Sequence, residues 1–343
     1  MLDDLRKIHE RDAQDALGVA EKQWQQLEYA FDVPELPSGI EHIVYAGMGG
    51  SALAGLMSQS WPGYRVPFEI VRDYHVPAYV SGKTLFVAAS YSGNTEETLS
   101  ALAEAETRGA QIAVIASGGK LQAIAQEKGY PFVLLPATLQ ARQGVLYNFR
   151  ALVLLLDKAG LVAASNAQAE LQRAAAHLHD QIQKWLPTVP TKSNLAKQIA
   201  LECMGKSVVV YAGTRLAPAA YRWKTAFNEN AKQLAWWGQY SECSHNEFMG
   251  WAEQPEQKPY AVIDLRSNLD HPQVQKRFEL SAKLLSGKRP SPVVVEASGD
   301  TPLEQLLTAS ALGDFASIYT ALLGNINPTP VELVERFKKE LEA

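Results

Sequence analysis

The chain has 343 residues, 47% hydrophobic and 20% charged, with a net charge of −5 and an isoelectric point of about 5.9. Its length suits two α/β domains of ordinary size, and its composition is that of a globular protein rather than a disordered one. The mild acidity and the lack of a dense Lys/Arg run argue against a nucleic-acid footprint. Cys203 and Cys243 supply neither a disulfide framework nor metal-ligand spacing.

The first residues, MLDDLRKIHERD, are charged from position 3 and show no signal-peptide pattern. The longest apolar stretch, residues 151–156, is too short to span a bilayer. A reducing cytoplasm is therefore the expected location.

Residues 3–30 read as one amphipathic helix, ended by Pro34 and Pro37. A strand over 40–46 leads into Gly47-Met48-Gly49-Gly50-Ser51 and a helix over 52–59. Glycines allow close backbone approach to an anion, and Ser51 can donate its hydroxyl. After a strand at 68–71, the apolar run 84–89 reads as a buried parallel strand.

That strand runs into Ser90-Tyr91-Ser92-Gly93-Asn94-Thr95-Glu96-Glu97 and a helix over 96–108. Gly93 permits a sharp turn, and Asn94 with Glu97 has the spacing of a capping box. The start of a helix presents free N–H groups and a positive dipole end. With the hydroxyls of Ser90, Ser92 and Thr95 it forms a candidate cradle for a phosphate dianion. Taken alone, the stretch reads equally well as a plain Ser/Thr cap.

Strands at 111–116 and 132–135, with a helix at 121–128, complete a βαβ alternation. The pattern predicts a doubly wound, mostly parallel sheet for 38–137. Two such turns at the carboxyl ends of neighbouring strands would mark a ligand site. Arg142 follows the last strand; helices are predicted over 143–160 and 166–186, broken by Pro187 to Pro190.

The pattern then restarts. A strand is expected at 206–212, a turn at Gly213-Thr214 and a helix over 217–235. Further strands follow near 239–243, 260–264 and 292–296, with helices at 271–285, 302–324 and 330–342. The expected organisation is an N-terminal helix plus first subdomain over 1–160, a helical linker over 161–192, and a second subdomain with C-terminal helices over 193–343.

In the second half, Arg222, Lys224, Asn228, Glu229, Asn230 and Lys232 fall along one predicted helix. Asn is a poor choice mid-helix unless its side chain is engaged. A carboxylate flanked by amides and cations suits a proton-transfer base, provided it is held in place. His245-Asn246-Glu247 and Gly250-Trp251 follow. A solvated helix face with a surface loop is the plain alternative.

Taken in order, Gly47-Met48-Gly49-Gly50-Ser51, Ser90-Tyr91-Ser92-Gly93-Asn94-Thr95, Asn228-Glu229-Asn230-Ala231-Lys232 and His245-Asn246-Glu247 with Gly250-Trp251 form a recognisable set. Together they resemble the bifunctional phosphoglucose/phosphomannose isomerase family of the sugar isomerase (SIS) domain superfamily. The tail, Asn327-Pro328-Thr329-Pro330-Val331 with a helix reaching Phe337-Lys338-Lys339, is also similar. The Ser-x-Ser-Gly-Asn-Thr motif alone marks only the superfamily.

The resemblance implies an α/β fold of two SIS (flavodoxin-like) subdomains and a cytoplasmic homodimer. It implies metal-independent isomerisation of glucose 6-phosphate, and of mannose 6-phosphate, with fructose 6-phosphate through a cis-enediolate, a step shared by glycolysis and gluconeogenesis. No metal or organic cofactor, nucleic acid or membrane partner is implied. Gly50, Ser51, Ser90, Ser92 and Thr95 match the phosphate loops. Glu229 matches the base, His245 the ring-opening residue reaching the partner chain's site, and Arg142 the cation beside the enediolate. Ala141 stands where the family often has Pro, and Lys338 or Lys339 matches the C-terminal lysine.

Two alternatives remain at this point. A non-catalytic SIS sensor of a sugar phosphate would need the loops and neither Glu229 nor His245. The other is an SIS isomerase of another phosphosugar.

Overall fold

The structure, a computed structural model, describes residues 1–253 and 259–341. The chain forms two compact units that do not follow chain order. One holds Met1–Glu21 with Leu178–Ala343, the other Lys22–His177.

The N-terminal segment is two short helices, α1 (Leu5–Arg11) and α2 (Ala16–Glu21), with a 3-10 turn at Gln23–Leu27, rather than one helix over 3–30. The break is local. The Asp12 carboxylate accepts from the backbone N–H groups of Ala16 (2.8 Å) and Leu17 (2.9 Å), and Asp15 sits at φ +53°. Carboxylates that satisfy the first N–H groups of a helix start one rather than continue one.

In the Lys22–His177 unit the order is β1 (His42–Ala46), α3 (Gly49–Ser60), β2 (Phe68–Val71), β3 (Thr84–Ser90), α4 (Glu96–Thr107), β4 (Gln111–Ala116), α5 (Gly119–Lys128), β5 (Phe132–Leu134), α6 (Val145–Lys158) and the start of α7 (Ala167–Ile182). The sheet is parallel with strand order β2-β1-β3-β4-β5. This is the flavodoxin-like doubly wound order. All seven residues of β3 are buried, as expected of a parallel strand covered on both faces. Because β1 and β3 are neighbours, with Ala46 in register with Ala88, the turns that follow them lie side by side at the carboxyl edge. The strand order reverses there, which is where open α/β sheets take ligands.

The other unit continues with α8 (Leu195–Cys203), β6 (Ser207–Ala212), α9 (Ala217–Ala226), β7 (Ala235–Gln239), α10 (Glu247–Glu253), β8 (Tyr260–Arg266), α11 (Pro272–Leu284), β9 (Val293–Glu296), α12 (Pro302–Leu323) and α13 (Glu332–Leu341). Its parallel sheet has the order β7-β6-β8-β9. Helix α12 is apolar and long enough to cross a bilayer, but it is buried as the core helix of this unit, packed on α8 and α9. Pro302 and a Thr301/Glu304 capping box start it.

The N-terminus joins this unit through buried Lys197. Its ammonium meets the Asp3 carboxylate at 3.1 Å and the carbonyls of Pro187 and Val189, both at 2.8 Å. Arg11 adds a bond to a carbonyl in the last turn of α12, Leu322 O, at 2.6 Å.

Two further expectations are corrected here. The helix expected over 217–235 ends at Ala226 and passes through a π-helical turn, Phe227–Ala231, and the strand expected near 239–243 is β7, Ala235–Gln239. Lys232 at φ +54° stops the helix, and the Asn228 side chain accepts from Ala235 N (3.0 Å) at the start of β7. Helix α8, which was not anticipated, is capped by Asn194, whose side chain accepts from Lys197 N at 3.1 Å.

Candidate functional site

In the Lys22–His177 unit, the two turns predicted to hold phosphate are adjacent and bonded. Ser51 lies in the first turn of α3, and its buried hydroxyl accepts from Tyr91 N at 3.2 Å. Ser90 Oγ lies 2.7 Å from Thr95 Oγ1 and 3.4 Å from Ser92 Oγ, and it accepts from Gly93 N at 3.1 Å. Three hydroxyls thus converge within one turn. Gly93 is required there: its φ is +72°, and a Cβ would fall 1.8 Å from Gly118 O.

The expected Asn94/Glu97 capping box is absent. Thr95 is the N-cap of α4, without a side-chain cap bond, and Asn94 Oδ1 instead accepts from Lys120 N (3.0 Å) at the start of α5. The first turn of α4 therefore keeps N–H groups that no cap residue occupies, as an anion site at a helix start requires.

Arg142 is buried in the loop between β5 and α6. That loop abuts the first turn, since a Cβ on Gly50 would lie 2.8 Å from Ala141 O. Arg142 is thus brought to the edge that carries Gly50 and Ser51.

In the other unit, Glu229 sits half-buried in the π-helical turn. Such turns recur at functional sites because they displace a side chain from the regular helix face. Each flanking amide is engaged: Asn228 holds the start of β7, and Asn230 Nδ2 donates to Ser317 Oγ of α12 at 3.0 Å. Lys232 Nζ donates to Glu229 O (2.7 Å) and Pro328 O (3.0 Å), tying the turn to the Asn327–Val331 segment. Arg222, grouped with Glu229 by sequence, instead forms an ion pair with Asp314 at 2.8 Å.

His245 ends a 3-10 turn, Glu242–His245, and is exposed. Both flanks are anchored. Ser244 Oγ accepts from Arg277 at 2.5 Å, and Glu247 accepts from the Tyr211 hydroxyl. That hydroxyl also accepts from Trp251 Nε1 at 2.9 Å, and the Arg289 guanidinium lies 5.4 Å from the Tyr211 ring centre. Glu247 and Trp251 of the sequence motif therefore brace the segment that carries His245.

Glu229 and His245 lie at opposite ends of β7 in the same chain. Asn228 meets its first residue and the His245 turn follows its last. Five strand residues span about 16 Å at ~3.3 Å each.

Lys338 lies on α13, where it pairs with Glu335 at 2.8 Å. No described residue of α13 is buried, and Leu333, Val334, Phe337 and Leu341 form an exposed apolar stripe.

A second buried feature borders the Tyr211 cluster. Asp264 on β8 is fully buried, and burial pushes its carboxyl up to about 6 against the pull of Arg289 and Arg266. A carboxyl whose pKa is raised on folding binds its proton more tightly in the folded chain than in the unfolded one. Its contribution to stability is therefore present at low pH and is lost as pH rises from about 4 to about 6. Asp264→Asn should remove that loss, on the order of 3 kcal/mol. In denaturant unfolding, the variant should gain stability relative to the parent between pH 4 and pH 6 and hold a constant difference above; a constant difference throughout would contradict the buried titration.

Two parallel α/β units, one with hydroxyl-and-glycine turns side by side at its β1/β3 switch point, define a doubly wound α/β protein with a candidate ligand site at a sheet edge. Residues 192–341 match the family described as "Bacterial phospho-glucose isomerase C-terminal SIS domain". The chain is 35% identical over 329 residues to the bifunctional phosphoglucose/phosphomannose isomerase of Caldicellulosiruptor bescii, covering 92% of this chain and 96% of that protein. It is 31% identical to the Aquifex aeolicus protein of the same name, over 94% and 97% of the two chains. This chain belongs to the bifunctional phosphoglucose/phosphomannose isomerase family.

A D-glucosamine-6-phosphate 4-epimerase of Sulfolobus acidocaldarius is 36% identical over 236 residues, 68% of this chain and 71% of that one. The fold is shared with the crystal structure of a glucose-6-phosphate isomerase like protein from Thermus thermophilus, with TM-score 0.68, 17% identity and 98% coverage of each chain.

Proposed function

We propose that this chain interconverts glucose 6-phosphate and mannose 6-phosphate with fructose 6-phosphate. The observation that carries the proposal is the pairing of the Gly47–Ser51 and Ser90–Thr95 turns on one sheet edge. There, hydroxyls and helix starts meet the phosphate, and this remote binding energy positions the carbons. His245 trades a proton with the ring oxygen to open the hemiacetal. Glu229 removes the C2 proton and returns it to C1, Arg142 stabilises the developing oxyanion, and Lys338 supplies a further cation. The two aldoses differ only at C2, which becomes trigonal in the enediolate, so one site can serve both.

The active form in this proposal is a homodimer with composite sites. Support comes from the length of β7 separating Glu229 from His245, from the exposure of His245, and from the uncovered stripe on α13. A cytoplasmic location is part of the same proposal, supported by two cysteines that are both free and buried.

Assay of the purified protein with glucose, mannose and glucosamine 6-phosphates tests the substrate class. Isomerisation of neither hexose phosphate would overturn the proposal, and turnover of the amino sugar at C4 would favour an epimerase. A Ser92→Ala/Thr95→Ala double variant tests the phosphate turns. Hydroxyl bonds to a charged acceptor contribute about 1.5–3 kcal/mol each, so KM for fructose 6-phosphate should rise by about two orders of magnitude or more. An unchanged KM would remove these turns from the site.

A further inference from the structure

Tyr91 stands between the two serines of the Ser90–Ser92 turn, and its side chain is buried. Its hydroxyl donates to Pro136 O at 2.5 Å and accepts from Leu139 N at 3.2 Å. Its ring leaves room only for a glycine at 144, where a Cβ would lie 2.4 Å from the ring. The loop from Pro136 to Gly144 is thus fastened to one aromatic side chain at its start, near its middle and at its end, and Arg142 lies within it.

The Tyr91 backbone faces the other way. Its N–H donates to Ser51 Oγ (3.2 Å), and its carbonyl accepts from Ser117 N at 3.0 Å. One residue therefore joins the first phosphate turn, the second phosphate turn and the Arg142 loop. Within the loop, Gln143 N and Gly144 N both donate to Gln140 O, at 2.8 and 3.2 Å, so the segment next to Arg142 is a closed turn.

We propose that Tyr91 is a positioning residue that sets the distance between the bound phosphate and the Arg142 guanidinium. The inference rests on the role proposed above for Arg142. A guanidinium at a fixed distance from the phosphate meets the oxyanion that develops at C1 and C2, and a displacement of about 1 Å at such a site can cost about a hundredfold in rate. The phosphate turns keep their own bonds through Ser90, Ser92 and Thr95, so loss of the tyrosine hydroxyl should affect turnover far more than phosphate affinity.

The test is Tyr91→Phe, with Gly144→Ala as a second variant that pushes on the ring from the loop side. Each is expected to lower kcat for fructose 6-phosphate by about 10- to 100-fold, with KM within about twofold. Two probes separate positioning from folding. 5-Phosphoarabinonate carries a carboxylate where the enediolate develops; sorbitol 6-phosphate carries the phosphate and no such charge. Both variants should bind the first more weakly by a factor matching the kcat loss, and the second unchanged.

Weakening of both ligands together would mean that the phosphate turn itself is disturbed, and would overturn the inference. Arg142→Met distinguishes the two levels of failure. If it leaves 5-phosphoarabinonate affinity intact, the role of Arg142 fails, and that of Tyr91 with it. If it weakens the analogue while Tyr91→Phe and Gly144→Ala do not, only the positioning role of Tyr91 is lost.

Discussion

Glu229→Gln is expected to reduce turnover with either hexose phosphate by about 10²–10⁴, the usual contribution of a general base, while leaving sugar-phosphate binding in place. The substitution is nearly isosteric. The π-helical turn is held by Asn228 on β7, Asn230 on Ser317 and Lys232 on Pro328 O, and none of those bonds uses the Glu229 carboxylate. Stability should therefore change little, and the loss should appear in kcat. Isomerisation in D₂O is the decisive measurement, because an enediolate base exchanges part of the abstracted proton with solvent. If the Gln variant incorporates deuterium at the parental rate, Glu229 is not the base.

The second large effect concerns how a complete site is assembled. Glu229→Gln and His245→Ala should each be nearly inactive as homodimers, and mixing them under subunit exchange should restore activity. The physical reason lies in β7. Glu229 belongs to the turn that Asn228 fastens to the first residue of β7, and the His245 turn follows its last, so the two residues are carried at opposite ends of the strand. In a two-fold dimer a mixed pair carries one doubly damaged site and one intact site. Random exchange makes about half of the dimers mixed, which restores roughly a quarter of parental activity. Demonstrated exchange with no recovery would refute the shared site and leave the isomerase proposal standing.

The sequence was most informative where chemistry and chain proximity coincide. The run 84–89 was legible as a buried strand because both faces are covered, and the Ser90–Thr95 turn as a hydroxyl cluster because its members are neighbours in the chain. The Asn residues flanking Glu229 pointed to engaged side chains, and both are engaged, but the π-helical turn that carries them was not legible in a pattern that predicted a helix to 235. The place where helix α9 gives way was less legible, because β7 begins only where Asn228 can receive Ala235 N, and helical spacing does not record that bond.

By itself, then, the amino-acid order determined the βαβ alternation, the two glycine- and hydroxyl-bearing turns, the candidate base and histidine, and the family. Each depends on short-range periodicity or on residue types within a few positions of one another. Only the tertiary structure decided that residues 1–21 join the C-terminal unit through Asp3 and Lys197. It alone decided that Asn94 serves α5 rather than capping α4, and that Tyr91 fastens the loop of Arg142. These outcomes depend on single hydrogen bonds between groups far apart in the chain. A side chain such as Asn94 or Tyr91 has several partners it could satisfy, and the choice among them is made by which backbone groups the packed sheet and helices leave within reach.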